Sequence, residues 1–210
     1  VDLRTAELIR PILRGRDIKR YGYQFADLWL INAHNGISDK GVGRVDINKY
    51  PAIKNHLDSY YALLEKRYDK GDTPYNLRSC VYMDDFYKQK IVWGNLSLSA
   101  QFTMAEEGIF INAPSSMIVP GSEYLLALLN SRLADFYIRN LGVTRNGGYF
   151  EYKPMFIEQL PVPILSLEEQ VPFASLASLP NPVNQLKLDL LTYKLYDLSA
   201  DEIAFINTMV

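Results

Sequence analysis

The 210-residue sequence holds one cysteine, Cys80, and two histidines, His34 and His56. A lone thiol forms no internal disulfide, and two histidines far from any other soft ligand do not make a zinc site, so no structural metal is expected. Also missing is an apolar run near the roughly 20 residues a membrane helix needs. Val1 to Arg10 carries acids and arginines where a signal peptide has its apolar centre, so a cytoplasmic protein with no membrane partner is expected. There is no Gly-Lys-Ser/Thr phosphate loop, no dinucleotide-type glycine fingerprint and no serine in a nucleophile elbow. Familiar nucleotide and acyl-transfer chemistry is thereby disfavoured.

What remains has the composition of an ordinary globular protein, 48% hydrophobic and 22% charged. The chain opens on Val1 and not on methionine, and reads as a piece of a longer polypeptide. Its net charge of −2 is unevenly spread. From Leu165 onward Lys187 and Lys194 face Glu168, Glu169, Asp189, Asp197, Asp201 and Glu202, which leaves a surplus of positive charge on residues 1–164. Much of it lies between Arg10 and Tyr23, where Arg10, Arg14, Arg16, Lys19 and Arg20 meet only Asp17.

Residues 5–14 have helical spacing, interrupted by Pro11 and ended by Gly15. Asp27 to Ala33 reads as a strand, with Trp29 in its apolar run and so assigned to the core, as is Trp93. Gly36 to Gly43 is a loop. Pro51 starts a helix expected to reach about Gly71. Strands are predicted at 90–93, 108–111 and 116–119, and one strong helix at about 122–139 with Ser122 as its cap. Gly142 to Tyr149 is a second flexible, basic loop, and Gln159 to Pro163 is extended because of its two prolines. Two capping boxes, Ser166/Glu169 and Ser199/Glu202, flank a helix capped by Asn184. Together these predict a mixed α/β (α+β) domain over 1–164 with a mixed or antiparallel sheet, and a helical appendage over 165–210. Without regular strand-helix alternation a doubly wound parallel sheet is disfavoured.

Three groups carry possible chemistry. Arg14, Arg16, Lys19 and Arg20, next to Tyr21 and Tyr23, suit phosphate contacts with aromatic support, although short basic runs are usually solvated surface. Arg145 and Asn146 offer donors that fit guanine and adenine edges, and Gly147 and Gly148 permit close backbone approach. The plain alternative for that loop is a hairpin turn. Glu151 and Lys153 share one strand face, as in metal-dependent nucleases, with Asp135 or Asp84/Asp85 as a second Mg²⁺ carboxylate; a solvated charge pair is the commoner meaning. His34 and His56 are isolated and read as polar loop and helix residues.

Gly15-Arg16-Asp17-Ile18-Lys19-Arg20-Tyr21, Lys90-Ile91-Val92-Trp93, Leu129-Asn130-Ser131, Gly147-Gly148-Tyr149-Phe150 with Lys153, and Leu160-Pro161-Val162-Pro163 follow one another in an order that resembles the TaqI-like C-terminal specificity domain. The likeness covers about residues 8–164, and Leu190 to Ile206 also looks like the segment that follows that domain. The resemblance implies a target recognition domain for double-stranded DNA, placed after an adenine-N6 DNA methyltransferase domain in one polypeptide of a type II restriction-modification system. That enzyme would use S-adenosylmethionine, and Mg²⁺ if a nuclease is fused to it. This chain has no Asn/Asp-Pro-Pro-Tyr/Phe motif, since Asn181-Pro182 continues into Val183 and Asn184, so no catalytic residue and no cofactor of its own is expected. The implied DNA contacts are Arg14, Arg16, Lys19, Arg20, Arg44, Arg145, Asn146, Gly147, Gly148 and Lys153. Alternatives are a Mg²⁺-dependent nuclease centred on Glu151 and Lys153, or half of a type I specificity subunit, which would need a long coiled coil in the tail.

Overall fold

Pro11 has no backbone N–H to give a helix, and it pushes Arg10 toward extended geometry. In the computed structural model, which describes residues 3–210, helix is confined to Leu3–Ala6 and Ile9–Leu13 is a strand. That strand runs antiparallel to Trp29–Ile31, with Ile9 opposite Ile31 and Pro11 opposite Trp29. The helix expected over 5–14 is therefore corrected: Leu8 is buried in the turn before the strand and Leu13 at the strand's end, and not as a helical stripe. Trp29 is corrected too. It is 54% exposed, its indole N–H donating to Asp27 at 2.8 Å, whereas Trp93 is 2% exposed as expected.

The chain divides into two compact units. The first comprises Val1–Ile12, Asp27–Tyr87 and Gly108–Phe110. Leu8, Ala33, Ile47 and Ile53 form its core, and Phe86 stacks on Phe110 at 4.3 Å between ring centroids. The helix predicted from Pro51 to Gly71 is two helices, Pro51–Asp58 and Tyr61–Lys66. None of the second helix is buried, so tertiary packing does not carry it onward. Arg67 instead turns extended and donates to the carbonyls of Pro74 and Asn76.

The second unit comprises Leu13–Ala26, Lys88–Glu107 and Ile111–Val210. Lys90–Gly94 is its central strand, antiparallel to Phe102–Ala105 on one side and Ser115–Ile118 on the other. Ile91, Val92 and Trp93 are all buried in succession, as a strand covered on both faces requires. Helix Glu123–Leu129 sends Leu126 and Leu129 to this sheet, and Tyr124, Ala127 and Leu128 to Phe173, Ala177 and Leu188 of the C-terminal helices. Burying each such side chain contributes about 1.5–3 kcal/mol. The expected helix at 122–139 breaks here: Ser122 caps the first half as predicted, but Ser131 caps a second, Arg132–Leu141, through Ala134 N–H. Between them the Asn130 side-chain amide gives and takes hydrogen bonds with the backbone of Phe102, standing in for a strand neighbour.

Both capping boxes form, on helices Leu167–Ser178 and Ala200–Met209. The helix between them, Pro182–Leu195, is capped by Asn181 and not by Asn184, because Pro182 fits its first turn and the Asn181 side chain accepts the Asn184 N–H. Residues 165–210 lie within the second unit, so the compositional break near 164 does not coincide with the boundary between the units. The extended Leu160 to Pro163 segment is tied down by Tyr124, which donates to the Pro163 carbonyl, and Tyr196, which donates to that of Pro161. The whole is an α+β fold of small mixed and antiparallel sheets and packed helices, and among the described residues no helix is long and apolar enough to cross a membrane.

Candidate functional site

In the second unit the backbone of Gly15 meets that of Gly94 on the central strand so closely that a β-carbon at Gly94 would stand 3.1 Å from the Gly15 Cα and carbonyl oxygen. Two residues without side chains thus seat the turn Gly15–Asp17 against the sheet. Asp17 fixes the turn from beneath. Its buried carboxylate accepts the Arg14 N–H at 2.8 Å and two guanidinium N–H groups of Arg14 at 2.9 and 2.8 Å. The Arg14 hydrogen bonds hold the Asp17 carboxyl below its ordinary pKa.

A cleft of about 540 Å³ opens beside this turn, lined by Arg14, Arg16 and Lys19 and by Tyr149. Its uncharged polar lining includes Asn95, Gln101, Asn112 and Ser115. The Asn112 Oδ1 and Ser115 Oγ atoms are buried there without a hydrogen-bond partner among the described residues. Arg16 is exposed, and its side chain has no hydrogen bond or ion pair among the described residues. Lys19 folds back to the Arg16 carbonyl at 2.8 Å.

A second cleft, of about 570 Å³, shares Asn95, Leu96 and Pro114 with the first and therefore adjoins it. Thr144, Arg145, Asn146, Glu151 and Lys153 complete it. All but Lys153 belong to the hairpin of Thr144–Arg145 and Tyr149–Glu151, whose second strand also pairs with Leu96–Ser97. Lys153, expected on the same strand as Glu151, lies past it as the N-cap of helix Pro154–Ile157. Gly147 and Gly148 make its turn at φ of +80° and +78°, a conformation that L side chains rarely adopt. The loop is thus the hairpin turn that its sequence allows, with Asn146 exposed at its tip.

Glu151 is buried beneath Arg145 and Lys153. Arg145 Nε donates to its Oε1 at 2.6 Å, Arg145 Nη2 is paired to the same oxygen, and Lys153 Nζ lies 3.1 Å from Oε2. Both cations hold its carboxyl below the usual glutamate range. Asp135, the other carboxylate of the nuclease alternative in this unit, is equally occupied: it receives the Ala100 N–H, the Tyr152 hydroxyl and two N–H groups of Arg139. Burial and the Asp135 charge push the Tyr152 phenol up. Among the described residues no group of three or more His, Cys, Asp or Glu side chains is placed to hold a metal ion.

The structure thus brings Arg14, Arg16, Lys19, Arg145, Asn146 and Lys153 to two adjoining clefts, with Gly147 and Gly148 at the hairpin tip. Arg20 does not line either cleft; its Nε donates to the Ala100 carbonyl at 3.2 Å. Arg44 belongs to the first unit, where it pairs with Asp72 at 3.3 Å. Sequence reasoning missed Asn95, Gln101, Asn112 and Ser115, whereas Tyr149 belongs to the glycine loop that it singled out. Isolated amides and hydroxyls carry no pattern, and only the strand register gathers them.

Residues 10–162 match the family model of the TaqI-like C-terminal specificity domain. No curated protein matches the sequence. Among solved structures, the type IIL restriction-modification enzyme MmeI, in complex with DNA, resembles this chain with a TM-score of 0.67 at 14% identity, over 97% of this chain and 31% of MmeI. The type IIG restriction endonuclease BpuSI does so with a TM-score of 0.54 at 15% identity, over 83% of this chain and 21% of BpuSI. The chain therefore spans about a third or less of the length of these enzymes.

Proposed function

The chain belongs to the TaqI-like C-terminal specificity domain family, and from that premise we propose that it recognises a double-stranded DNA target for a restriction-modification enzyme whose catalytic domain lies elsewhere in the same polypeptide. The observation that carries this reading is the gathering of Arg14, Arg16 and Lys19 around one cleft and of Arg145, Asn146 and Lys153 around the cleft beside it. In this reading Arg16 and Lys19 hold phosphates and set register, which the Arg14–Asp17 pair supports by stiffening the turn that carries them. Asn146 and the outer edge of Arg145 are placed to read base edges, each good bidentate pair discriminating by about 1–3 kcal/mol. Gly147 and Gly148 let the hairpin tip approach the duplex without a β-carbon in the way.

The proposed chemistry of the parent enzyme is methylation of adenine N6 from S-adenosylmethionine held by the catalytic domain, while this chain binds no cofactor. Extruding a base from the stack costs a few kcal/mol, which explains the need for a separate domain that grips the flanking duplex. The family match and the likeness to MmeI and BpuSI support the reading of this chain as the DNA-recognition part of a restriction-modification enzyme, while the methylation chemistry rests on the sequence resemblance alone. The test is fluorescence-anisotropy titration of random-sequence duplex with the full chain. Replacing Arg16 and Lys19 together by Ala is expected to flatten the plot of log affinity against log salt by about 0.9 for each phosphate that the variant no longer neutralises. An unchanged slope refutes the phosphate role.

A further inference from the structure

Glu151 has one charge and two cations. Its side chain is 4% exposed, while those of Arg145 and Lys153 above it are 54% and 42% exposed. An acid at the floor of a groove proposed to bind a polyanion weakens general attraction to phosphates, so its presence there calls for a physical reason. The Arg145 Nε and Nη2 groups are both committed to Glu151, which leaves Nη1 as the one guanidinium nitrogen with no partner in this ion pair. Lys153 approaches the other carboxylate oxygen. Glu151 is itself held by the backbone pairing of its strand opposite Leu96, a residue common to both clefts. Arg16, by contrast, is an exposed cation with no such anchor.

We infer that Glu151 is a specificity-setting positioning residue: it withholds Arg145 and Lys153 from duplex phosphates at large and fixes Arg145 so that only its outer edge meets a base. This rests on the DNA-reading function proposed above. A carboxylate that binds the cations in the free protein competes with any phosphate for them and so weakens attraction by charge alone, whereas a base contact made by the free edge of Arg145 leaves the ion pair intact. Salt-dependent binding in the free groove then falls mainly to Arg16 and Lys19.

The experiment measures the affinity of the full 210-residue chain for a random-sequence duplex across a salt series, for the wild type, Glu151→Gln, Arg145→Gln and Arg16→Gln. Glu151→Gln is expected to bind random duplex more tightly, with a slope steeper by about 0.9 for each phosphate the released cations neutralise. Arg145→Gln, which leaves Glu151 paired to Lys153 and so serves even where Glu151→Gln fails to fold, is expected to flatten the slope much less than Arg16→Gln. A Glu151→Gln slope no steeper than wild type, or an Arg145→Gln effect equal to that of Arg16→Gln, overturns the inference while leaving DNA binding intact. A wild-type chain that binds duplex without salt dependence sinks the DNA reading itself, and the inference with it.

Discussion

The two units treat their ion pairs in opposite ways. In the first, Lys40–Asp84, Arg44–Asp72, Lys54–Asp58 and Arg78–Asp69 have both partners largely in solvent. In the second, Asp17, Asp135, Glu151 and Asp189 are buried beneath cations that are more exposed than they are: Arg14, Arg139, Arg145 with Lys153, and Arg132. Exposed pairs gain little because water and salt screen them. A buried carboxylate has already lost its water and depends on its partner, so it holds that partner's position. Fixed cations are what a surface needs to meet a rigid, patterned polyanion, and they occur in the unit that carries the two clefts.

The comparison is broken most severely at Asp135. Asp135→Ala strips Arg139, Tyr152 and the Ala100 N–H of a shared acceptor, and Arg139, which packs over Phe150 at 4.4 Å, loses its anchor. A stability decrease of about 3–5 kcal/mol is expected in denaturant unfolding, and a decrease below about 1 kcal/mol contradicts the distinction between the units.

Lys90 sharpens the contrast by inverting it, being a buried cation whose ammonium donates to the carbonyls of Lys88 and Glu106. Burial brings its pKa down to about 8 from 10.5. Between those values the unfolded chain binds the proton that the folded chain has released, so stability rises with pH through this window. The gain is on the order of 2 kcal/mol. It is read from unfolding curves at about pH 7.5 and about pH 9 as the difference between wild type and Lys90→Met, because Cys80 and the tyrosines, raised by burial in the fold, ionise first in the unfolded chain and oppose the rise equally in both. Lys90→Met should flatten the rise.

The smallest effect is expected in the first unit. Asp72→Asn should change stability by less than about 0.5 kcal/mol, since Asp72 and Arg44 are both about half exposed. A decrease above about 1.5 kcal/mol would place this pair with the buried ones.

How far the sequence reveals all this depends on the range of the interaction. Capping boxes at Ser166 and Ser199, the apolar strand Ile91 to Trp93 and the two-glycine turn are local, and their residues suffice to read them. Pro11 is locally ambiguous, and pairing with Trp29–Ile31 decides for strand. Trp29 carries the apolar signature of a core residue, but its place is set by which face of a short strand is covered. In the site, the basic turn and the hairpin are visible from charge and glycine. The Glu151–Lys153 charge pair is visible from spacing, but the burial of Glu151, its second partner Arg145 and the gathering of Asn95, Gln101, Asn112 and Ser115 depend on register and packing.

The central claim is that the grooved face of the second unit binds duplex DNA through fixed and free cations. It is tested most directly by the affinity of the full chain for duplex at about 50 and about 300 mM salt. The account predicts a steep fall, close to a straight line of log affinity against log salt, that flattens when Arg16 and Lys19 are replaced by Ala. Equal affinity at the two salt concentrations would contradict it.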